Sequence, residues 1–266
     1  MTRINQLPLQ VSQSLKQKAL LKIISGLNNF DTQSVEQISR AASRGGAHLL
    51  DIACDPDLVA LAVKVSGLPV CVSAVDPDLF PLAVDAGASM IEIGNFDSFY
   101  PSGRFFDAKE VFELATKTRA LLPEAFLSVT VPHILSLDQQ AKLALEMAEI
   151  GVDMIQTEGG MSSRPLSSGS LGLIEKAAPT LAAVHAISDA FKKAQCSVPV
   201  LCASGLSSIT IPMALSVGAS GVGVGSAVNL LSDELSMIAV IRRLRESLNS
   251  STQFMLNKNL LLSERI

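Results

Sequence analysis

The sequence predicts a (β/α)8 barrel of the phosphate-binding type, and three observations carry that prediction. Residues 198–229, VPVLCASGLSSITIPMALSVGASGVGVGSAVN, read as a buried strand, a glycine turn, a helix, a second buried strand and a second glycine turn opening a helix. That is the order of the seventh and eighth units of such a barrel, whose loops commonly hold phosphate on unpaired backbone N–H groups. The chain has 266 residues, 48% of them hydrophobic, near the roughly 250 residues of one complete barrel and suited to parallel strands covered on both faces. Finally, four predicted helices stop at a glycine followed at once by a buried strand, at Gly46-Ala47, Gly87-Ala88, Gly151-Val152 and Gly218-Ala219, the turn chemistry of repeated α-to-β connections.

The elements follow in order. The first 20 residues contain Arg3, Lys16 and Lys18 and no acidic residue; with no apolar core of a secretory signal, they read as a short amphipathic helix capping the barrel floor. Strand one spans about 21–26, and a helix capped by Asp31 ends at Gly45-Gly46. Strands two (49–53) and three (69–75) each run into an Asp-Pro pair, Asp55-Pro56 and Asp76-Pro77, a cap followed by proline at the first helical position. Strand four (90–94) leads into a longer loop and a helix capped by Asp107. Strand five (126–131) precedes His133 and a helix over 137–150, and strand six (154–158) opens the longest loop, 159–172, with the next helix expected around 179–194. One barrel over 1–248 and a polar tail over 249–266 complete the domain reading.

A formal charge of −4 argues against a nucleic-acid surface, and the absence of Trp with a single Tyr leaves few platforms for stacking bases. Cys54, Cys71, Cys196 and Cys202 occur singly, so reduced thiols are expected. No charge falls between Ala194 and Ser232, but this stretch is broken by Pro199, Pro212 and many glycines into strand-length pieces. It reads as buried core, and no membrane segment is expected.

The strings KIISGLNNFD, LLDIACDP, VSAVDP, IEIGNFDSFY, LSVTVPH, IQTEGG, IEKAAPTLAA and GVGVGSA, from Lys22 to about Val240, resemble the hypothetical chloroplast reading frames of the Ycf series, member twenty-three. The resemblance implies an aldolase-type barrel and a photosynthetic cell: chloroplast stroma for a plastid-encoded chain, cytoplasm for a cyanobacterial one. It carries no activity and no catalytic residue.

Candidate chemistry comes from strand parity, because alternate residues of a barrel strand face the interior. Lys22, Asp51, Glu92, Thr130, Gln156 and Glu158 face inward by that rule. A buried charge requires a partner, so Lys22 is expected to pair with Asp51 or Glu92, either as a structural network or as part of an acid/base site in which Lys22 could also serve as a nucleophile. Glu158, at the end of strand six beside Gly159-Gly160, is the preferred catalytic group, and His133 in the loop after strand five is a candidate proton carrier. Ser204, Gly205, Gly223, Gly225 and Ser226 are the expected phosphate ligands. Arg104 and Arg164, in the loops 95–106 and 159–172, could supply cations from mobile lids. His48, His133 and His185 are isolated from one another, so no metal site is expected.

Three functions follow. The first is an isomerase or lyase moving protons on a small phosphorylated metabolite, with Glu158, Glu92 or His133 as acid/base. The second is an oxidoreductase holding FMN by its phosphate, and the third is a non-catalytic sensor of a phosphorylated metabolite. A homo-oligomer is compatible with each.

Overall fold

A computed structural model describes residues 2–160 and 163–263. Eight parallel strands close in sequence order, with β1 (Leu20–Gly26) hydrogen-bonded to β2 (Leu49–Ala53) on one side and to β8 (Gly221–Val224) on the other. Between them lie β3 (Val70–Ala74), β4 (Met90–Ile93), β5 (Leu127–Thr130), β6 (Met154–Gln156) and β7 (Val200–Ala203). The helices are α1 (Leu9–Lys16), α2 (Thr32–Gly45), α3 (Pro56–Ser66), α4 (Phe80–Asp85), α5 (Ala108–Leu121), α6 (Leu137–Glu149), α7 (Gly169–Lys193), α8 (Ile211–Ser216), α9 (Ser226–Asn229) and α10 (Glu234–Ser263).

The helix starts follow from their caps. Asp31, Asp55 and Asp107 accept the N–H groups of Ser34, Leu58 and Glu110 at 2.6, 2.9 and 2.8 Å, satisfying donors that a helix leaves unpaired in its first turn. Gly46 closes α2 at φ +86°, a left-handed conformation that costs glycine little.

Two corrections concern helices. Rather than starting near Pro179, α7 starts at Gly169 and carries Pro179 inside it. It therefore takes in the last four residues of the expected loop 159–172, of which Met161 and Ser162 lie outside the described residues. The helix α10 runs through Asn249 without interruption where a polar tail was expected.

The barrel interior is layered. At the end where the strands begin, Leu20, Leu49, Cys71, Met90, Met154 and Leu201 pack with Leu7, Val11 and Leu15 of the N-terminal segment, so α1 plugs that end with an apolar face. Two residues further along the strands, the inward positions turn polar: Lys22, Asp51, Ser73, Glu92, Ser128 and Gln156, all buried. The outward positions pack against the helices in a continuous apolar shell. Among the described residues, no helix is long and apolar enough to cross a membrane.

Candidate functional site

A cavity of about 750 Å3 opens at the end of the barrel where the strands finish. One wall is built by Ser204, Gly205 and Leu206 after β7 and by Gly225, Ser226 and Asn229 after β8; the floor holds Asp51, Ser73, Glu92 and Gln156. Ser25 near the end of β1 and Asn28 and Asn29 after it, with Asn95 and Ser98 after β4, complete a lining rich in hydroxyl and amide groups.

The floor is an ion network. Lys22 Nζ lies 2.7 Å from Asp51 Oδ2 and 2.7 Å from Glu92 Oε2. Burial opposes the charge on Lys22, but the two carboxylates outweigh it and hold its pKa well above the ordinary lysine value. The expected pairing is therefore present with both carboxylates at once. An amine held as its ammonium form between two carboxylates is a poor nucleophile, and Lys22 is not among the described residues that line the cavity, so the geometry favours the structural network over the nucleophile.

Ser73 Oγ donates to Asp51 Oδ1 at 2.6 Å, Ser128 Oγ donates to Glu92 Oε2 at 2.8 Å, and Gln156 Nε2 donates both to Glu92 Oε1 and, at 3.2 Å, to Thr130 Oγ1. Burial raises the pKa of Glu92 against the opposing pull of the Lys22 ammonium.

Glu158 and His133 are placed elsewhere. Both are absent from the cavity lining, because β6 ends at Gln156 and the chain beyond it no longer keeps the strand's alternation. Glu158 is fully buried and accepts from Tyr100 Oη at 2.7 Å, Asp97 N at 3.0 Å and His133 N at 3.2 Å. His133 Nδ1 stands 3.1 Å from Asp97 Oδ1 and 3.2 Å from Glu158 Oε1. Burial resists its protonation, yet the two carboxylates prevail and raise the His133 pKa to about 9. Asp97 Oδ2 in turn accepts from Ser204 Oγ at 2.9 Å and Gly159 N at 3.1 Å. This cluster thus ties the loops after β4, β5, β6 and β7 together behind the cavity wall.

Asp97, His133 and Glu158 bring ligand-type atoms within 4.8 Å of one another. The fold thus assembles a group that could hold a metal from residues that look isolated in the sequence. Asp51, Cys71 and Glu92 lie equally close, but Lys22 already supplies the positive charge there, and burial holds the Cys71 thiol well above its usual pKa.

The phosphate candidates divide. Gly205, Gly225 and Ser226 face the cavity. The Ser204 hydroxyl also reaches it, but is engaged by Asp97 and by the Gly160 N–H at 2.8 Å. Gly223 is corrected: it lies within β8 rather than in the following loop, and a Cβ there would meet Ala203 Cβ and Ile24 Cδ1 at 3.0 Å.

The lid cations are not found at the cavity. Arg104 pairs with Glu110 and lies 4.1 Å from the Phe106 ring centre, and Arg164 is exposed outside the lining. Instead, Lys176 is the one basic residue among the described residues that line the cavity, its Cγ packed beside Gly205. The sequence does not mark it, because Pro179 sets the predicted start of the helix beyond it, whereas α7 begins at Gly169. Asp97 and Tyr100 went unrecognised because they sit in short 3-10 turns, where no periodicity marks an inward face.

Comparison with known proteins agrees with this architecture. The thiamine phosphate pyrophosphorylase from Pyrococcus furiosus superposes with a TM-score of 0.56 at 18% identity, covering 89% of this chain and 98% of the other. A 3-hexulose-6-phosphate synthase superposes with a TM-score of 0.58 at 16% identity, covering 86% and 99%. At such identities the likeness is one of fold. The "Uncharacterized protein ycf23" of Cyanophora paradoxa is 43% identical over 244 residues, which are 91% of this chain and 98% of that protein. A family model described as "Protein of unknown function (DUF561)" matches residues 4–254, and with that relative it shows that the chain belongs to this family.

Proposed function

We propose that the protein is an enzyme of the isomerase or lyase type, acting by proton transfer on a small phosphorylated metabolite. The observation that carries this reading is the joining of two features in one cavity: the glycine turns after β7 and β8 on one wall, and the Asp51 and Glu92 carboxylates on the floor. The wall suits a phosphate, with backbone donors at Gly205, Gly225 and Ser226 and a countercharge from Lys176. Two fold neighbours, a thiamine phosphate pyrophosphorylase and a 3-hexulose-6-phosphate synthase, are named for phosphorylated compounds, which supports the same ligand class.

Glu92 is the proton carrier in this reading. Burial moves its pKa upward, toward the range where a carboxyl can both take and return a proton, while Lys22 and Asp51 balance the local charge. Glu158 and His133 act at one remove by holding the loop of Ser204 through Asp97. The setting is the chloroplast stroma or a cyanobacterial cytoplasm.

The test is proton exchange into a panel of aldose and ketose phosphates in D2O, followed by NMR, with wild type and Glu92→Gln. Exchange that depends on Glu92 is the expected result. Binding of a sugar phosphate without exchange would leave the sensor, a yellow purified protein would point to FMN, and a failure of every phosphate ester to bind would end the reading.

A further inference from the structure

The floor of the cavity is a surface of hydrogen-bond acceptors. The hydroxyl protons of Ser73 and Ser128 are both directed at carboxylates, Asp51 and Glu92. Glu92 Oε2 is engaged by Lys22 and Ser128, so Oε1 is the atom that faces Gln156. A carboxylate accepts and cannot donate. The Gln156 side chain must therefore present its NH2 to Glu92, and this fixes which way the amide points.

Its carbonyl oxygen, Oε1, is then committed to the opposite side. Gln156 is fully buried and lines the cavity, and among the described residues its Oε1 has no hydrogen-bond partner. A buried amide oxygen left unpaired is costly. Gly223 keeps the space beside it open: a Cβ at that position would stand 3.5 Å from Gln156 Oε1.

Resting on the phosphate reading above, we propose that Gln156 accepts a hydrogen bond from a hydroxyl of the ligand, so that the cavity selects polyhydroxylated phosphate esters over deoxy analogues of the same length. The floor's hydroxyl and amide donors are spent on its own side chains, so a ligand that complements it must donate. A polyol chain does so at several carbons, whereas an alkyl chain leaves Gln156 Oε1 unpaired.

The probes are ribitol 5-phosphate, pentyl phosphate and inorganic phosphate, measured by calorimetry. Ribitol 5-phosphate should bind wild type at least about tenfold more tightly than pentyl phosphate. Gln156→Met, close in size but without the amide, should cut that preference about tenfold and leave the affinities for pentyl phosphate and inorganic phosphate unchanged. Equal binding of the two esters by wild type would overturn the proposal whatever the variant does, and would leave a water as the partner of Gln156. A Gln156→Met change that weakens all three probes alike would also overturn it. If none of the three binds, the phosphate reading itself fails; if phosphate and both esters bind without discrimination, only the role of Gln156 fails.

Discussion

Gly160, after β6, and Gly205, after β7, meet so closely that a Cβ on Gly160 would stand 2.3 Å from the Gly205 amide nitrogen. The same glycine donates its N–H to Ser204 Oγ at 2.8 Å, and Ser204 donates onward to Asp97. This contact brings the buried Asp97–His133–Glu158 cluster against the proposed phosphate wall. Gly160→Ala should push the two loops apart, destabilise the fold by about 1–3 kcal/mol and weaken phosphate binding. Thermal unfolding and phosphate calorimetry on the same sample check both effects. Unchanged affinity would show that the wall does not depend on this contact.

Lys22 lies between two buried carboxylates, each 2.7 Å away. Removing one partner of a buried ion network leaves uncompensated charge, at a cost of about 3–5 kcal/mol. Lys22→Met should therefore destabilise the barrel by about that amount in denaturant unfolding. Adding Glu92→Gln removes one of the stranded charges, so the double variant should lose less than the sum of the single changes, by about 0.5–3 kcal/mol. Strict additivity would show that the pair is not coupled.

These two cases mark where the sequence was legible. Inward facing of Lys22, Asp51, Glu92 and Gln156 follows from alternation within β1, β2, β4 and β6, where backbone pairing enforces a period of two. Glu158 obeys the same arithmetic and still points elsewhere, because β6 stops at Gln156 and Gly159 at φ +130° turns the chain. Asp97 and Tyr100 come to Glu158 from a different loop, through contacts 61 and 58 residues apart, a proximity that only the closed barrel creates. Lys176 was hidden for a local reason. Proline is unfavourable inside a helix, so Pro179 looked like a helix start, whereas α7 continues through it.

His133 should titrate far from an ordinary histidine. Its folded pKa of about 9 lies above the ordinary histidine value of 6.5, so the folded state binds the proton more tightly than the unfolded chain does. A raised folded pKa contributes stability that is fully present below pH 6.5 and is lost as pH rises through 9. The unfolding temperature of wild type should fall across that window, and His133→Asn should flatten the fall. An NMR titration placing the His133 midpoint near 6.5 would remove the ion cluster as its cause.

The phosphate wall can be tested by charge with little change of shape at Gly225. A Cβ there would stand 3.4 Å from Ile24 O, 3.6 Å from Ile24 Cβ and 3.7 Å from Asn229 Nδ2, all ordinary contacts. Gly225→Asp should therefore fold, while placing a negative charge where the ligand phosphate is proposed to sit. Gly225→Asn has nearly the same shape and no charge, so the difference between the two isolates electrostatics. A charge-assisted hydrogen bond contributes roughly 1.5–3 kcal/mol, so Gly225→Asp should weaken a phosphate ester at least about tenfold, and Gly225→Asn by clearly less. Lys176→Met, which removes the cation at the same wall, should weaken it by a comparable factor and lower the salt dependence of binding, since a screened attraction has been lost. If both charge changes leave the affinity at the wild-type value in folded protein, the phosphate lies elsewhere, and the glycines after β7 and β8 serve close packing alone.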